Sequence, residues 1–361
     1  MLQHYFETIS DPREPWKIDH NLHEIIAMTV CAVVSGCEIW EDIVDFCRVK
    51  EAWFKEKLKL ELRNGIASHD TFQRVFQLID PAEFEACFLA WIGAIAQKTD
   101  GEIISIDGKT VCGSRDAKSK AIHMVSAWGN ANQLVLGQLR VDEKTNEITA
   151  IPTLLDLLDI KGCIVTIDAM GAQREIAGRI IEKGADFVLA LKGNQTGLHE
   201  DVAFYFEQEK IPCGVCTREK GHGRIEKREY FLETDIGWIK QRHDWQGLQA
   251  IGAVRSHVEE KGVVRCETRY FITSLTDAKT FAKAVRGHWG VENSLHWVLD
   301  VVFREDASRT RKDNSAENFS VVRRIALNML RGYPANMSLA RKRRRCMYDA
   351  DFMANVLLSA L

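Results

Sequence analysis

Two short apolar runs in the middle of the chain each end in an aspartate, and they constrain the fold more than any other feature. The first reads "IISID" (103–107) and the second "CIVTID" (163–168). Uninterrupted apolar runs of this length are typical of strands that are buried on both faces of a sheet. In a covered sheet, functional sites gather at the carboxyl ends of the strands. A single aspartate there often only marks the exit of a strand into solvent, but Asp107 and Asp168 can meet if the two strands are neighbours.

The residues around these strands predict an α/β fold. Two strand-like runs, "AIHMVSAWG" and "QLVLGQLRV", are separated by "NAN" and predict a hairpin. Helical and strand patterns then alternate along the following segments, which favours a mixed sheet covered by helices on both faces. From 215 to 274, alternating and glycine-rich runs predict an antiparallel, β-rich insertion. The helical pattern resumes at about Thr276.

The first 99 residues have a helical pattern. "SHDTFQRVFQLID" begins at a predicted N-cap, Ser68, and Pro81 is expected to open another helix. Short helices joined by tight turns can form a DNA-binding module, although such helices more often only pack together. We expect a helical N-terminal domain over 1–99, an α/β domain over 100–345 and a C-terminal tail helix over 346–361.

Composition excludes several classes of protein. Hydrophobic residues make up 46% and charged residues 27% of the chain, as in globular rather than disordered proteins. The apolar run over 25–37 is too short to cross a bilayer, and the N-terminus lacks the residue order of a signal peptide. Ten cysteines without a framework spacing indicate reduced thiols. We therefore expect a cytoplasmic protein, and we interpret "CGVC" (213–216) as ordinary cysteines because no second zinc-like pair follows it.

Charge is distributed unevenly. The net charge is −3, yet the segment 304–345 holds twelve Lys or Arg and four acidic residues. A solvated charged face is one interpretation of such a segment. The density of "RKRRR" (341–345) favours the other, which is contact with a polyanion.

The stretch "RGHWGVENSLHWVLDVVFRED" predicts a helix that brings a third carboxylate. His288, Glu292, His296 and Asp300 recur every four residues and would form one polar row. One interpretation of that row is a zinc hydrolase site built from the two histidines and Glu292, but it leaves both strand-end aspartates unexplained. The other is that Glu292, at the margin of an apolar stripe, reaches the sheet edge where the aspartates end. Clustered carboxylates cost energy unless a divalent cation neutralises them, and their oxygens suit Mg²⁺ or Mn²⁺.

The surroundings of Glu292 carry further hints. Gly287 and Gly290 each weaken a helix by roughly 1 kcal/mol relative to alanine, so close packing or substrate approach would explain them. Trp289 and Trp297 are expected to pack the helix in place.

Several motifs occur together in a specific order: "IDGKT", "DEKTNEITAIPTLLDLLDIKG", "TIDAMG", "ALKGNQ", "EKGHGRIEKREY", "RGHWGVENSLHWVLDVVFREDASRTRK" and "NSAEN". Over nearly its whole length the chain resembles the H-repeat-associated insertion-sequence transposases of bacteria, a family with an Asp-Asp-Glu active site. The resemblance implies an RNase H-like catalytic core, a helical N-terminal associated domain and a β-rich insertion before the glutamate helix. By motif match it implies Asp107, Asp168 and Glu292 as catalytic residues and as ligands of two Mg²⁺ or Mn²⁺ ions.

The same resemblance implies partners and chemistry. The expected partners are the terminal inverted repeats of the element and a target DNA, bound by a homodimer near the nucleoid and away from membranes. The expected reaction is hydrolysis of a phosphodiester followed by attack of the freed 3′-OH on the target. Candidate DNA contacts lie just past strand ends, in the family motifs and in the basic segment: Lys109, Lys192, Asn194, Gln195, His222, Arg224, Arg286, His288, His296, Arg311 and Lys312.

The chain departs from the family pattern at several positions. Cys112, Ala172 and Ala67 stand where relatives usually carry Arg, Cys and Pro, and the Cys112 change could weaken a phosphate contact. His288 and Leu299 stand where related transposases often have Arg and Lys. Two alternatives of the same fold stay open from sequence: a nuclease without strand transfer, and a domesticated or inactive DNA-binding protein.

Overall fold

A nine-stranded mixed sheet organises the protein. The computed structural model describes residues 2–96, 101–115, 120–141, 147–221 and 223–358. The strands are β1 Ile103–Thr110, β2 His123–Gly129, β3 Leu134–Val141, β4 Ile164–Ile167, β5 Asp186–Leu191, β6 Val215–Gly221, β7 Arg224–Glu233, β8 Ala250–Glu260 and β9 Val263–Thr273. Their order in the sheet is β3-β2-β1-β4-β5-β9-β8-β7-β6. β1, β4 and β5 run parallel to one another, and the remaining pairs are antiparallel.

Helices cover both faces of this sheet, as the sequence predicted. They are α1 Leu2–Phe6, α2 Leu22–Val34, α3 Trp40–Val49, α4 Glu51–Lys57, α5 His69–Leu78, α6 Pro81–Ile95, α7 Glu147–Leu157, α8 Arg174–Glu182, α9 Thr196–Gln208, α10 Ala278–Gly290, α11 Trp297–Val301, α12 Ser315–Gly332, α13 Leu339–Tyr348 and α14 Ala350–Leu358. A π-helical turn, Val291–His296, joins α10 to α11. The α/β class with a large mixed sheet is thereby confirmed.

Local signals in the sequence were accurate. The Ser68 hydroxyl accepts a hydrogen bond from the Thr71 amide at the start of α5, and Pro81 is the first residue of α6. β2 and β3 form the predicted hairpin. The predicted antiparallel strands within 215–274 are also present, but they do not form a separate sheet. β9 pairs with β5, so β6–β9 extend the sheet that begins at β3.

Side-chain alternation along β1 decides which residues face which helices. Ile104 and Ile106 lie in the core under α7–α9, together with Val165 and Ile167 of β4. Ser105 points the other way, where its hydroxyl donates to the Gly287 carbonyl of α10. Because successive side chains alternate, Asp107 shares the α10 face.

The N-terminal helices share a core with the last helices of the chain. Trp40 of α3 and Phe76 of α5 pack on Phe319 of α12, with ring centroids 5.1 and 6.5 Å apart. Residues of α2, α13 and α14 belong to the same buried cluster. The division into 1–99, 100–345 and 346–361 stays a prediction.

The basic segment 304–345 is divided between core and surface. Contact with a polyanion stays a prediction for its exposed members, which are Arg304, Arg309, Arg311, Lys312, Arg341, Arg344 and Arg345. Arg323, Arg324, Lys342 and Arg343 are buried rather than displayed to a partner. Lys342 donates to the Leu330 carbonyl at 2.6 Å, and so does not face outward. Arg324, Lys342 and Arg343 donate to carbonyls and carboxylates inside the helical core, and the Arg323 guanidinium lies over the Phe319 ring.

Two expectations from composition fit the structure. All ten cysteines are free thiols, including the pair at 213 and 216. Within the described ranges, none of the helices combines the length and apolar character needed to cross a bilayer.

Candidate active site

Strand pairing brings Asp107 and Asp168 together. Ile106 of β1 is paired with Ile167 of the parallel strand β4, so the next residue of each strand is an aspartate at the same edge. Asp107 keeps 19% of its side chain exposed. Asp168 begins a 3₁₀ turn and its carboxylate accepts a hydrogen bond from the Met170 amide at 3.1 Å. The structure therefore juxtaposes the two carboxylates that the strand-end argument selected.

Glu292 reaches this edge because α10 lies very close to the sheet. A Cβ at Gly287 would stand 3.1 Å from Ile103, and one at Gly290 would overlap the Asn130 side chain. The two glycines thus serve close packing, one of the explanations that the sequence offered. Of the expected apolar stripe, Val291 and Leu295 are fully buried, which fixes the rotation of the segment that carries Glu292.

The predicted row of four polar residues is wrong as a regular α-helical row. The segment Val291–His296 is a π-helical turn, in which the Trp297 amide donates to the Glu292 carbonyl five residues earlier. π-turns are rare and often occur at functional sites, because the extra residue re-aims the side chains around it. The expected packing of Trp297 is also wrong, since 57% of that residue is exposed.

Like charges dominate the electrostatics around Asp107. Burial, with a smaller contribution from the carboxylates of Asp168, Glu147 and Glu292, raises the pKa of Asp107 to about 7, although a hydrogen bond from the Gly108 amide lowers it. His296 Nδ1 lies 3.4 Å from Asp107 Oδ2. Burial lowers the pKa of His296 to about 4, so this imidazole is neutral at pH 7 and brings no compensating charge.

Glu147 and its partner His123 were missed by sequence reasoning. Glu147 opens α7, and its Oε1 lies 2.6 Å from His123 Nε2 on β2. Nothing in the sequence marks Glu147, because it stands in a polar run before a helix, where an acidic residue is ordinary. Only the strand pairing that brings β2 beside β1 shows its proximity to Asp107.

Lys109, a predicted DNA contact, lies inside the fold. Its side chain is 8% exposed, and Nζ lies 2.8 Å from Asp300 Oδ1, 2.9 Å from Asp306 Oδ1 and 3.3 Å from Glu305 Oε2. Because three carboxylates already pair with the ammonium group, it has little capacity left to bind a phosphate. Asp300, the last member of the predicted polar row, contributes to that arrangement.

The loop after β5 is tied to the turn that starts at Asp168. Asn194 Nδ2 donates to the Ala169 carbonyl at 2.5 Å, and Gln195 Nε2 donates to the Ala172 carbonyl at 2.9 Å. Lys192, before them, is exposed. Asn194 and Gln195 thus hold the Asp168 turn, whereas the Lys192 ammonium is accessible.

The other predicted DNA contacts differ in exposure and in distance from the two aspartates. His288 Nδ1 lies 2.9 Å from the Thr166 hydroxyl, next to Asp168. Arg286 is exposed and forms an ion pair with Glu219 at 3.0 Å. Exposed positions are also found at Arg224, Arg311 and Lys312, with the Arg311 Nε donating to the Gly113 carbonyl. His222 lies outside the described residues.

Metal ligation can be assessed from the donor set. Among the described residues, no group of three or more His, Cys, Asp or Glu side chains is already arranged to hold a metal ion. The zinc interpretation therefore gains no support, and His288 and His296 instead contact Thr166 and Asp107. The carboxylates around Asp107 are oxygen donors that repel one another, and this chemistry fits a hard divalent cation.

Comparison with known proteins gives the family. The model described as "Transposase DDE domain" matches residues 98–329, and that described as "DDE_Tnp_1-associated" matches residues 3–92. The chain is 42% identical to "Putative transposase YncI" of Escherichia coli O157:H7, over 99% of this chain and 94% of that protein. It is 41% identical to "H repeat-associated putative transposase YhhI" of Escherichia coli K12, over 99% and 97%. A shorter K12 relative, "Inactive transposase YbfQ", is 42% identical over 20% of this chain. The juxtaposed strand-end carboxylates and these full-length matches agree, and the chain belongs to the DDE transposase family.

Proposed function

We propose that this protein is an active DNA transposase of a bacterial insertion sequence, with an RNase H-like catalytic core. It binds the terminal inverted repeats of its element, cleaves phosphodiester bonds and joins the freed 3′ ends to target DNA. Asp107, Asp168 and Glu292 are the proposed catalytic carboxylates and metal ligands. The observation that carries the proposal is the meeting of β1, β4 and the π-helical turn at one sheet edge, where burial and neighbouring carboxylates raise the pKa of Asp107.

Divalent cations, Mg²⁺ or Mn²⁺ and two in number by our proposal, would activate the attacking oxygen and stabilise the leaving 3′-oxygen. The protein's contribution is to hold its carboxylates on rigid elements. Asp107 lies on a strand in the middle of the sheet, and the Asp168 turn is tied down by Asn194 and Gln195. His296 and His288 flank Glu292 and contact the two aspartate strands, so we assign them a positioning role.

We propose a DNA path over the exposed cations near this edge. Lys192 follows β5, Arg286 lies on α10, and Arg311 and Lys312 lie beyond the glutamate segment. Neutralised phosphates release counterions, so binding should weaken steeply as salt rises. A homodimer would allow both element ends to be held in one complex.

The test uses the full-length protein with a linear DNA that carries its terminal repeats. We expect Mg²⁺- or Mn²⁺-dependent nicking at the repeat ends and joining of the ends to a target plasmid. Asp107→Asn, Asp168→Asn and Glu292→Gln should each lower cleavage by at least about a thousandfold, in the range typical of groups that stabilise developing charge. Each variant should keep its DNA affinity.

Matched control variants come from carboxylates away from this edge. Glu182→Gln on α8 and Asp156→Asn on α7 should cleave like the parent protein, since both residues are exposed and pair with Arg179. Unchanged cleavage in all three active-site variants would refute the assignment. Cleavage without any joined product would instead identify a nuclease of the same fold.

A further inference from the structure

We propose that Arg331 of α12 is a positioning residue, which holds the π-helical turn Val291–His296 in the shape that aims Glu292. The inference rests on the proposed function, because it concerns how one of the three proposed carboxylates is placed. It also goes beyond that function, since Arg331 lies outside the motifs that carry the family resemblance.

Arg331 contacts the backbone of the turn. Its Nη2 donates to the Ser294 carbonyl at 2.5 Å. Because π-helical turns are rare, one that persists is expected to be supported by contacts from outside its own helix. Ser294 lies only two residues after Glu292, so a bond at this carbonyl can set the path of the turn without occupying the Glu292 carboxylate.

The helix that carries Arg331 is itself fixed to the sheet. Asn328 lies one turn earlier on α12 and is buried. It exchanges two hydrogen bonds with the backbone of Val135 on β3, each 2.9 Å long. Arg331 therefore extends from a rigid support, and its bond to Ser294 ties the glutamate segment to the same sheet that carries the two aspartates.

The guanidinium is also oriented by the β2–β3 hairpin. It lies 4.8 Å from the ring centre of Trp128, which is fully buried, and its Nη1 donates to Gln133 Oε1 at 2.6 Å. Stacking on an aromatic ring limits the directions in which the planar fork can donate. The same ring borders Gly290, the residue before the turn, where a Cβ would lie 3.4 Å from Trp128 Nε1.

The charge of Arg331 is not used in an ion pair within the described part of the chain. Buried Arg324 and Arg343 pair with Glu305 and Glu38, whereas Arg331 donates to two uncharged oxygens. Burial lowers the pKa of Arg331 to about 10, so the side chain is still a cation at pH 7. A cation held without a counter-charge is costly, and a charge-assisted bond to the turn gives it a purpose.

Hydrogen exchange of the full-length protein, followed by mass spectrometry without DNA or metal, tests the contact directly. Arg331→Met removes the donors and keeps most of the side-chain length. Exchange over 291–297, which includes the Trp297 amide bonded to the Glu292 carbonyl, should become at least about ten times faster, because a hydrogen bond to a charged group is lost. Arg331→Lys returns a charged donor and should recover part of the protection.

Cleavage kinetics test whether the turn matters for the reaction. Arg331→Met should lower kcat roughly tenfold to a hundredfold, as expected for a displaced group, and leave the KM for terminal-repeat DNA unchanged. The Mn²⁺ concentration for half-maximal cleavage should rise about tenfold, as for other residues that orient a ligand. A purely structural role would lower Tm and the amount of folded protein but would not move this Mn²⁺ requirement.

A matched control is Arg140→Met. Arg140 lies on β3, is 34% exposed and pairs with Glu317 of α12 at 3.4 Å, so it also joins the hairpin to α12 but not to the turn. This variant should show parent-like exchange over 291–297 and a parent-like Mn²⁺ requirement.

Unchanged exchange over 291–297 in Arg331→Met would overturn the proposal, whether or not the protein cleaves DNA. Faster exchange with parent-like kcat and Mn²⁺ requirement would overturn it too, because the turn would then not place Glu292. If Arg331→Met does not fold, Arg331→Lys carries the same test with smaller expected changes. A parent protein that never cleaves its terminal repeats, together with faster exchange in Arg331→Met, would refute the proposed function and still support the hold of Arg331 on the turn.

Discussion

Asp107 and Lys109 lie two residues apart on the same face of β1, yet their surroundings have opposite charge balances. Around Asp107 stands the carboxylate cluster, which consists of Asp107, Glu147, Asp168 and Glu292. These groups repel one another, and the one imidazole on Asp107 is neutral at pH 7.

Around Lys109 stands the lysine cluster, made of Lys109, Asp300, Glu305, Asp306 and Arg324. Here Glu305 and Arg324 are fully buried and lie 2.7 Å apart, and Lys109 reaches all three carboxylates. Burial would raise the pKa of Glu305, but Arg324, Arg323 and Lys109 outweigh it and hold that pKa at about 2.

The contrast shows how one strand serves structure and function. Where carboxylates join β1 to α11 and α12, the protein neutralises them with its own cations, Lys109 and Arg324. Where carboxylates converge at the end of β1, no lysine or arginine among the described residues forms an ion pair with Asp107. Uncompensated negative charge at one place in the protein therefore indicates a site for a cationic ligand. Removing a carboxylate should lower the free energy of unfolding in the lysine cluster and raise it in the carboxylate cluster.

The largest effect is expected in the lysine cluster. Glu305→Gln leaves Arg324 buried without its counter-charge, so the free energy of unfolding should fall by about 3–5 kcal/mol. The pKa of Glu305 is lower in the folded protein than in the unfolded chain. Its contribution is therefore present above about pH 4.5 and is lost as the pH falls towards 2. Urea unfolding at pH 7 measures the loss, and a variant as stable as the parent would remove the contrast between the clusters.

Asp107→Asn should instead raise the free energy of unfolding at neutral and higher pH. Because the pKa of Asp107 is about 7 in the metal-free protein, against 3.8 in the unfolded chain, the folded state retains a proton that the unfolded chain releases. Stability should therefore fall as the pH rises from about 4 to about 7. At pH 8 with EDTA the variant should be more stable than the parent, by on the order of 2 kcal/mol. Guanidinium unfolding at pH 5 and pH 8 checks this; an equal gain at both values contradicts it.

Gly108→Ala should crowd the two side chains that pack against this glycine, His123 and Glu147. The added Cβ meets His123 and Glu147, and overpacking of this kind costs about 1–3 kcal/mol, with about 2 expected here. Thermal unfolding should show this loss as a lower Tm. Gly93→Ala on α6 is the control, since a Cβ there has no neighbour within 4 Å and should add up to about 1 kcal/mol of helix stability. An unchanged Tm in Gly108→Ala would contradict the close packing of His123 and Glu147 against this glycine.

The smallest effect is expected for an exposed ion pair. Arg345 lies 3.2 Å from Asp349, and the two side chains are 51% and 38% exposed. Arg345→Met should change the free energy of unfolding by less than about 0.5 kcal/mol, because water and salt screen such pairs. A loss comparable to that of Glu305→Gln would mean that burial does not explain the strength of the lysine cluster.

Much of the fold could be predicted from local chemistry. Ser68 and Pro81 mark helix starts, "NAN" marks the hairpin, and two apolar runs ending in aspartate predict buried parallel strands. These signals work because caps, turns and strand burial depend on a few neighbouring residues. The strand patterns selected Asp107 and Asp168, the helical pattern offered Glu292 as a third carboxylate, and the family resemblance implied these three as one site.

The rest depended on residues far apart in the chain. The basic segment 304–345 predicted contact with a polyanion, and sequence could not tell that four of its twelve basic residues, Arg323, Arg324, Lys342 and Arg343, are buried. Lys109 followed a strand end as a phosphate contact would, yet three carboxylates 191 to 197 residues away surround it. Burial and pairing are properties of the packed core, and no local pattern encodes them.

The sequence by itself therefore determined most of the helices and strands, and it offered three candidate carboxylates, Asp107, Asp168 and Glu292, for the site. Tertiary structure alone decided the π-helical turn that aims Glu292, the neutral state of His296 and the approach of Glu147 past Gly108. The physical reason is the separation along the chain of the residues that interact. Caps and strand patterns arise from contacts within a few residues, whereas charge compensation arises wherever packing places two groups within a few ångströms.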